Sequence, residues 1–219
     1  MSDTAVEGTT SAEQVQPARF APEAGIGVPL AVGTFGFSVL VLGFLNSGVV
    51  TADAGSFFIP VAFGTGALGL FIGGMWEFRA NNIFGGSFAL FYSAFLLTTG
   101  LILQFHAGPI SDVAGPSGFG EAFGMWLLLW CAFTFMLAYG AWYINLPAFL
   151  AFVLLAIGYL IFGITNLNDG SDETLTKVGG WVLIVDGLVA WYLSWALAVN
   201  PLVARKLPLW PHPYSSRAG

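Results

Sequence analysis

Six long apolar runs set the terms for this chain: Pro29–Asn46, Phe57–Trp76, Gly85–Phe105, Ala122–Tyr143, Leu146–Thr165 and Val178–Val199. Each is about 18–22 residues, enough to cross a hydrocarbon core of ~30 Å as a helix. Barrel strands would be shorter and would alternate in polarity, which these runs do not. Only 8% of the residues are charged, about a third of what a soluble domain carries. So much apolar surface needs lipid as its solvent. The expected fold is an all-α integral membrane protein with six transmembrane helices and both termini on one side. The six-helix domain spans 25–200, between a polar disordered tail at 1–24 and a C-terminal tail at 201–219.

The joints between the runs are read as short, except Ala107–Glu121 and Asn166–Lys177, which read as long loops. Pro29 and Pro147 stand near helix starts, where a missing N–H is harmless. Arg19, Arg79, Arg205, Lys206 and Arg217 fall on one side and only Lys177 on the other. That asymmetry places both termini in the cytoplasm. Trp76, Trp126, Trp142, Trp181 and Trp195 fall near helix ends, the level of interfacial indoles. Gly69 and Gly73 form a GxxxG pair, and Ala62 and Gly66 a second small pair. Such positions let helices approach closely.

Composition excludes several function classes. Six Lys and Arg make no basic patch for nucleic acid. His106 and His212 have no metal-ligand spacing, and Cys131 is alone in an apolar run. No cofactor fingerprint or nucleophile–base pair is present. Neither an enzyme, a cofactor nor a metal site is expected.

The polar residues at membrane depth are few. Phe35, Ser38, Leu42 and Asn46 share one face of the first helix, and Tyr92 and Thr99 one face of the third. These faces suit a narrow path for a small, weakly polar solute, with Ser38, Asn46 and Thr99 along it. Equally, Ser and Thr can bond their own helix carbonyls. Asp186 lies about ten residues into the sixth run among Ile184, Val185, Leu188 and Val189. A bare carboxylate there costs several kcal/mol, so it must be protonated, paired or facing water. It reads either as a proton-coupling site or as a neutral acid bonded to a neighbouring helix. Glu77, in the hinge between the second and third helices, either caps or pairs at the boundary or guards the cytoplasmic mouth.

Motifs around that hinge carry a family resemblance. Glu77, Asn82, Phe84 and Gly85 form E-x-x-x-x-N-x-F-G, followed by Tyr92. Phe35-Gly36, Leu45-Asn46-Ser47-Gly48, Trp130, Phe133, Thr134, Leu155-Ala156-Ile157-Gly158, Gly180-Trp181 and Tyr192 match in order and spacing. Across residues 26–199 the chain resembles the acetate uptake transporter family, the bacterial succinate–acetate permease and yeast acetate–ammonia transporter group. Its departure is at the N-P-A-P-L-G-L signature, which here reads Ile26-Gly27-Val28-Pro29-Leu30-Ala31-Val32. Asp186 stands where the family is expected to have a small or apolar residue.

The resemblance implies a pore within each six-helix subunit and a ring-shaped homo-hexamer in the cell membrane. It also implies a constriction of Phe35, Tyr92 and Leu155; the charge asymmetry places Glu77 and Asn82 at the cytoplasmic mouth. The expected function is transport of acetate and similar small monocarboxylates, with the dicarboxylate succinate as a further candidate, coupled to H⁺ with Asp186 or Glu77 as proton stations. The alternatives are a passive acetate anion channel, an ammonia or other small-solute channel, and a non-transporting structural or sensory membrane protein. Lipid is the other expected partner.

Overall fold

The computed structural model describes residues 27–168 and 172–211. The 1–24 tail, Arg19, Asp169, His212 and Arg217 lie outside the described residues. Helix accounts for nearly all of the rest, and the β-structure among the described residues is a single bridge between Asn145 and Pro211. The elements are α1 (Gly27–Asn46), α2 (Leu68–Arg79), α3 (Ile83–Leu101), α4 (Ala107–Trp142), α5 (Leu146–Leu167) and α6 (Glu173–Val199). A 3₁₀ stretch (Ala52–Phe57), one turn (Phe58–Pro60) and a π-helical stretch (Val61–Ala67) lead without interruption into α2. Another π-helical stretch, Ile102–His106, joins α3 to α4.

Five helical segments are long and apolar enough to cross a membrane: Gly27–Asn46, Asp53–Arg79, Ile83–Trp142, Leu146–Leu167 and Glu173–Val199. The third is 60 residues long; straight, it would reach about 90 Å, three times the hydrocarbon thickness. It is broken at Gly115, whose φ of 78° and ψ of 166° are non-helical, immediately before Pro116. This corrects the loop expected at Ala107–Glu121. Helix runs on through the π-helical stretch to the Gly115 break and resumes beyond it. The Asn166–Lys177 connection is also shorter than expected, because α6 begins at Glu173 with Asp172 as its cap.

Polar side chains define the helix starts. Asn82 accepts from the Gly85 N–H to begin α3, and Asn145 accepts from the Ala148 N–H to begin α5. Each satisfies a backbone donor that the first turn leaves free. Around the bundle α1 packs against α2 and α6, α2 against α3, α4 against α5, and α5 against α6. The ring closes through aromatic contacts of α3 with α4: Phe95 lies 5.0 Å from Trp130 and Phe91 4.9 Å from Phe133, ring centre to ring centre. Trp126, expected at the interface, is instead half-buried in this seam, its indole N–H donating to Thr99 Oγ1 at 3.3 Å.

Glycines set the closest approaches. A Cβ on Gly73 would lie 2.7 Å from the Gly27 carbonyl oxygen, and one on Gly43 would lie 2.9 Å from the Gly180 carbonyl oxygen. α1 is thus held between two neighbours by backbone contact. Large apolar side chains such as Leu129, Met136, Ile83 and Leu68 point outward and are exposed. That is the distribution of a multi-pass membrane protein, in which lipid covers the outer faces.

Part of the C-terminal tail folds back on the bundle. The Tyr192 hydroxyl donates to the Pro208 carbonyl at 2.7 Å, Asn200 exchanges two hydrogen bonds with Leu207, and the Leu146 N–H donates to the Trp210 carbonyl. Residues 200–211 therefore strap the end of α6 to the start of α5.

Candidate functional site

Two cavities lie inside the ring. The first, about 260 Å³, opens among the N-terminal ends of α1, α3 and α5. Its walls include Val28, Asn82, Phe84, Phe88, Asn145, Phe152 and Leu197. The second, about 270 Å³, lies toward the opposite ends of the helices and includes Ser38, Leu42, Asn46, Thr99, Tyr159, Asn166 and Leu183. Phe35 and Leu155 line both. They form the partition, with Tyr92 beside them on the first-cavity side.

The partition is built from three helices. Phe35 on α1 lies 5.5 Å from the Tyr92 ring on α3, and Phe152 on α5 lies 6.0 Å from Tyr92 on its other side. Tyr92 is almost fully buried, and its hydroxyl lies 2.7 Å from Thr134 Oγ1 of α4. That bond supplies the partner a phenol needs at depth and fixes the ring against the partition. Leu155, one turn beyond Phe152 on α5, is equally buried.

The polar stripe on α1 faces the second cavity: Phe35, Ser38, Leu42 and Asn46 all line it, as does Thr99 of α3. Their donors are largely committed. Ser38 Oγ donates to the Thr34 carbonyl at 3.1 Å, and Asn46 Nδ2 to the Leu42 carbonyl at 2.8 Å. The second cavity is therefore weakly polar, with side-chain acceptor capacity left over. Among the described residues neither cavity is lined by Lys, Arg or His.

Glu77 lines neither cavity. It is fully buried, and its Oε1 accepts from the Gly27 and Val28 N–H groups at 2.8 and 2.9 Å. Its Oε2 accepts from Asn82 Nδ2, whose own Oδ1 caps α3. One carboxyl group thus ties the first turn of α1 to the first turn of α3. A negative side chain at helix N-termini is favourable on the helix dipole as well. Asn82, by contrast, does line the first cavity.

Asp186 is fully buried on α6, and neither of its oxygens has a hydrogen-bond partner among the described residues. It shares a helix face with Leu183, which lines the second cavity, and with Ala190 and Leu193, which line the first. Spacing of three and four residues puts all of these on one stripe.

Sequence reasoning passed over Asn145, Phe152, Asn166 and Tyr159, all of which line a cavity. Asn145 carried a readable signal, a capping residue just before Leu-Pro-Ala. Phe152 and Tyr159 sit inside an apolar run, and Asn166 falls at the start of the expected loop.

Comparison with known proteins places the chain in a group. The profile of the GPR1/FUN34/yaaH family matches residues 9–205. Ammonia transport outward protein 2 of Saccharomyces cerevisiae is 28% identical over 169 residues, covering 77% of this chain and 59% of that protein. Acetate permease A of Emericella nidulans is 24% identical, covering 75% of this chain and 58% of that protein. The chain thus spans less than two thirds of the length of either relative. Acetate transporter protein patA of Penicillium expansum is 28% identical over 87% of this chain and 80% of its own length. Among solved structures, the bacterial acetate channel SatP superposes with a TM-score of 0.74 at 22% identity, over 85% of this chain and 99% of that one.

Proposed function

The chain belongs to the GPR1/FUN34/yaaH family, and from that membership and the two-cavity geometry we propose that it carries acetate and similar small monocarboxylates across the cell membrane. The observation that carries this reading is the partition: Phe35 and Leu155 face both cavities, and Tyr92 stands next to them. A neck of two apolar side chains and one tethered phenol favours a solute that sheds most of its water. The methyl end of acetate tolerates such walls. Its carboxyl end finds Asn82 and Asn145 on one side of the neck, and Ser38, Asn46 and Thr99 on the other.

With no cationic side chain among the described residues lining either cavity, a bare anion is poorly served, and the movement is coupled to H⁺. Of the two acids, Glu77 has Oε1 committed to the Gly27 and Val28 N–H groups and Oε2 to the Asn82 side-chain amide, which leaves Asp186 as the acid with no partner among the described residues; the proton travels with the acid. The break at Gly115 lets the 60-residue segment make two crossings, giving six in all, with both termini and the Asn82 cavity mouth cytoplasmic. Subunits assemble as a hexamer, each with its own pore, as the resemblance implies.

Purified protein in proteoliposomes tests the reading. Labelled acetate uptake should rise when a proton gradient is imposed and should be competed by propionate. Uptake that follows membrane potential and ignores the proton gradient would make the protein an anion channel. Since one relative is named for ammonia transport and the neck suits any small neutral solute, ammonium is the informative competitor. Competition by ammonium without competition by propionate would move the substrate class.

A further inference from the structure

Asp186 is the group inside the bundle whose surroundings explain it least. It is fully buried and both its oxygens lack a partner among the described residues, a destabilising arrangement that packing alone gives no reason to keep. Its height in the bundle is informative. Leu183, three residues before it, lines the second cavity, and Ala190, four residues after it, lines the first. At a helical rise of ~1.5 Å per residue, Asp186 is about 4.5 Å along the axis from Leu183 and about 6 Å from Ala190. It therefore sits level with the partition, between the two cavity linings and part of neither, on the stripe of α6 that supplies Leu183, Ala190 and Leu193 to them.

Among the described residues no counter-charge faces it. α6 packs against α1 and α5; α1 has no titratable residue and α5 has only Tyr159. Tyr92 of α3 and Tyr159 lie within electrostatic range of the carboxyl group. Lys177, at the start of α6, is paired with Glu173 at 2.6 Å.

We propose that the Asp186 carboxyl group is the hydrogen-bonding station of the neck and takes its missing partner from the permeant, a small undissociated carboxylic acid. A protonated carboxyl offers one donor and one acceptor, and an undissociated acid offers the same pair in reverse. The permeant O–H donates to one Asp186 oxygen, the Asp186 O–H donates to the permeant carbonyl, and no proton changes owner. A carboxylate has acceptors only and makes half of this pairing. The proposal rests on the transport reading above, and it names the protonation state that the neck accepts.

Three proteins in proteoliposomes test it: wild type, Asp186→Asn and Asp186→Leu, with uptake corrected for protein-free vesicles and melting followed in detergent. The amide also offers a donor and an acceptor, so Asp186→Asn should keep acetate uptake within about threefold of wild type. Asp186→Leu should lose about tenfold or more while melting at a higher temperature, because an unpaired buried group has been removed. Divided by the concentration of undissociated acid, wild-type uptake should stay level as pH rises. Wild-type-like uptake by the Leu variant would overturn the proposal. So would an Asn variant as impaired as the Leu variant, or normalised wild-type uptake that climbs with pH. Wild-type protein that moves no acetate would instead defeat the transport reading itself.

Discussion

Replacing Glu77 with alanine should unfasten the bundle at the ends of α1 and α3. Glu77 is fully buried and accepts from three donors, the N–H groups of Gly27 and Val28 and the side-chain amide of Asn82. Alanine strands all three. A fully buried donor left unpaired costs about 1–3 kcal/mol; Val28 and Asn82 are only half-buried, so the expected loss lies in the lower half of the ~3–9 kcal/mol that three such donors would sum to, about 3–6 kcal/mol. For a chain of this size each kcal/mol moves the melting temperature by about 2–4 °C, so the shift should be on the order of 10 °C. Asn82→Ala removes the α3 cap and one of the three donors, and should cost about 2 kcal/mol. Because the two side chains share a bond, the double variant should be less destabilised than the sum by about 1 kcal/mol. Tryptophan-fluorescence melts in detergent give these shifts, and acetate uptake in proteoliposomes gives activity alongside. A Glu77→Ala protein that melts within about 2 °C of wild type would refute the clamp. An unshifted melt with abolished uptake would place Glu77 in permeation instead.

Three further outcomes follow from the same geometry. Leu155→Ala removes one wall of the partition that two cavities share, so it should admit larger acids such as lactate and succinate while costing ~2–5 kcal/mol in stability; an unchanged substrate profile would remove Leu155 from the neck. Gly73→Val forces a Cβ to within 2.7 Å of the Gly27 carbonyl and 2.8 Å of Ala31 and should lower the melting temperature clearly, whereas Gly64→Ala, whose Cβ meets nothing within 4 Å, should not. Tyr192→Phe loses the 2.7 Å bond to the Pro208 carbonyl, worth about 1 kcal/mol. Limited proteolysis should then cut residues 200–211 faster than in wild type, and an unchanged cleavage rate would show that the strap is held without that bond.

What the sequence could and could not disclose here follows from the solvent. In lipid, apolar runs report where helices are but not how they are rotated, because the outward face is as apolar as the inward one. Rotation was legible only where polarity marked a face. Phe35, Ser38, Leu42 and Asn46 did so on α1, and all four line one cavity. α5 offers no such mark, so Leu155 reads as ordinary packing and Phe152 as nothing at all. Turn chemistry misled at Ala107–Glu121. Gly108, Pro109, Ser111 and Asp112 suggest a loop, yet the chain stays helical through a π-helical stretch that takes up extra residues per turn. Only Gly115–Pro116 marks the true break. Tertiary partners were the least accessible: nothing near Glu77 in sequence says that its carboxyl reaches 50 residues back to Gly27, or that Thr134 waits for Tyr92. Asp186 combines both cases. Its depth in an apolar run says that the residue is costly. Only its register on α6, between a residue of each cavity, says where that cost is incurred, at the level of the partition that separates them.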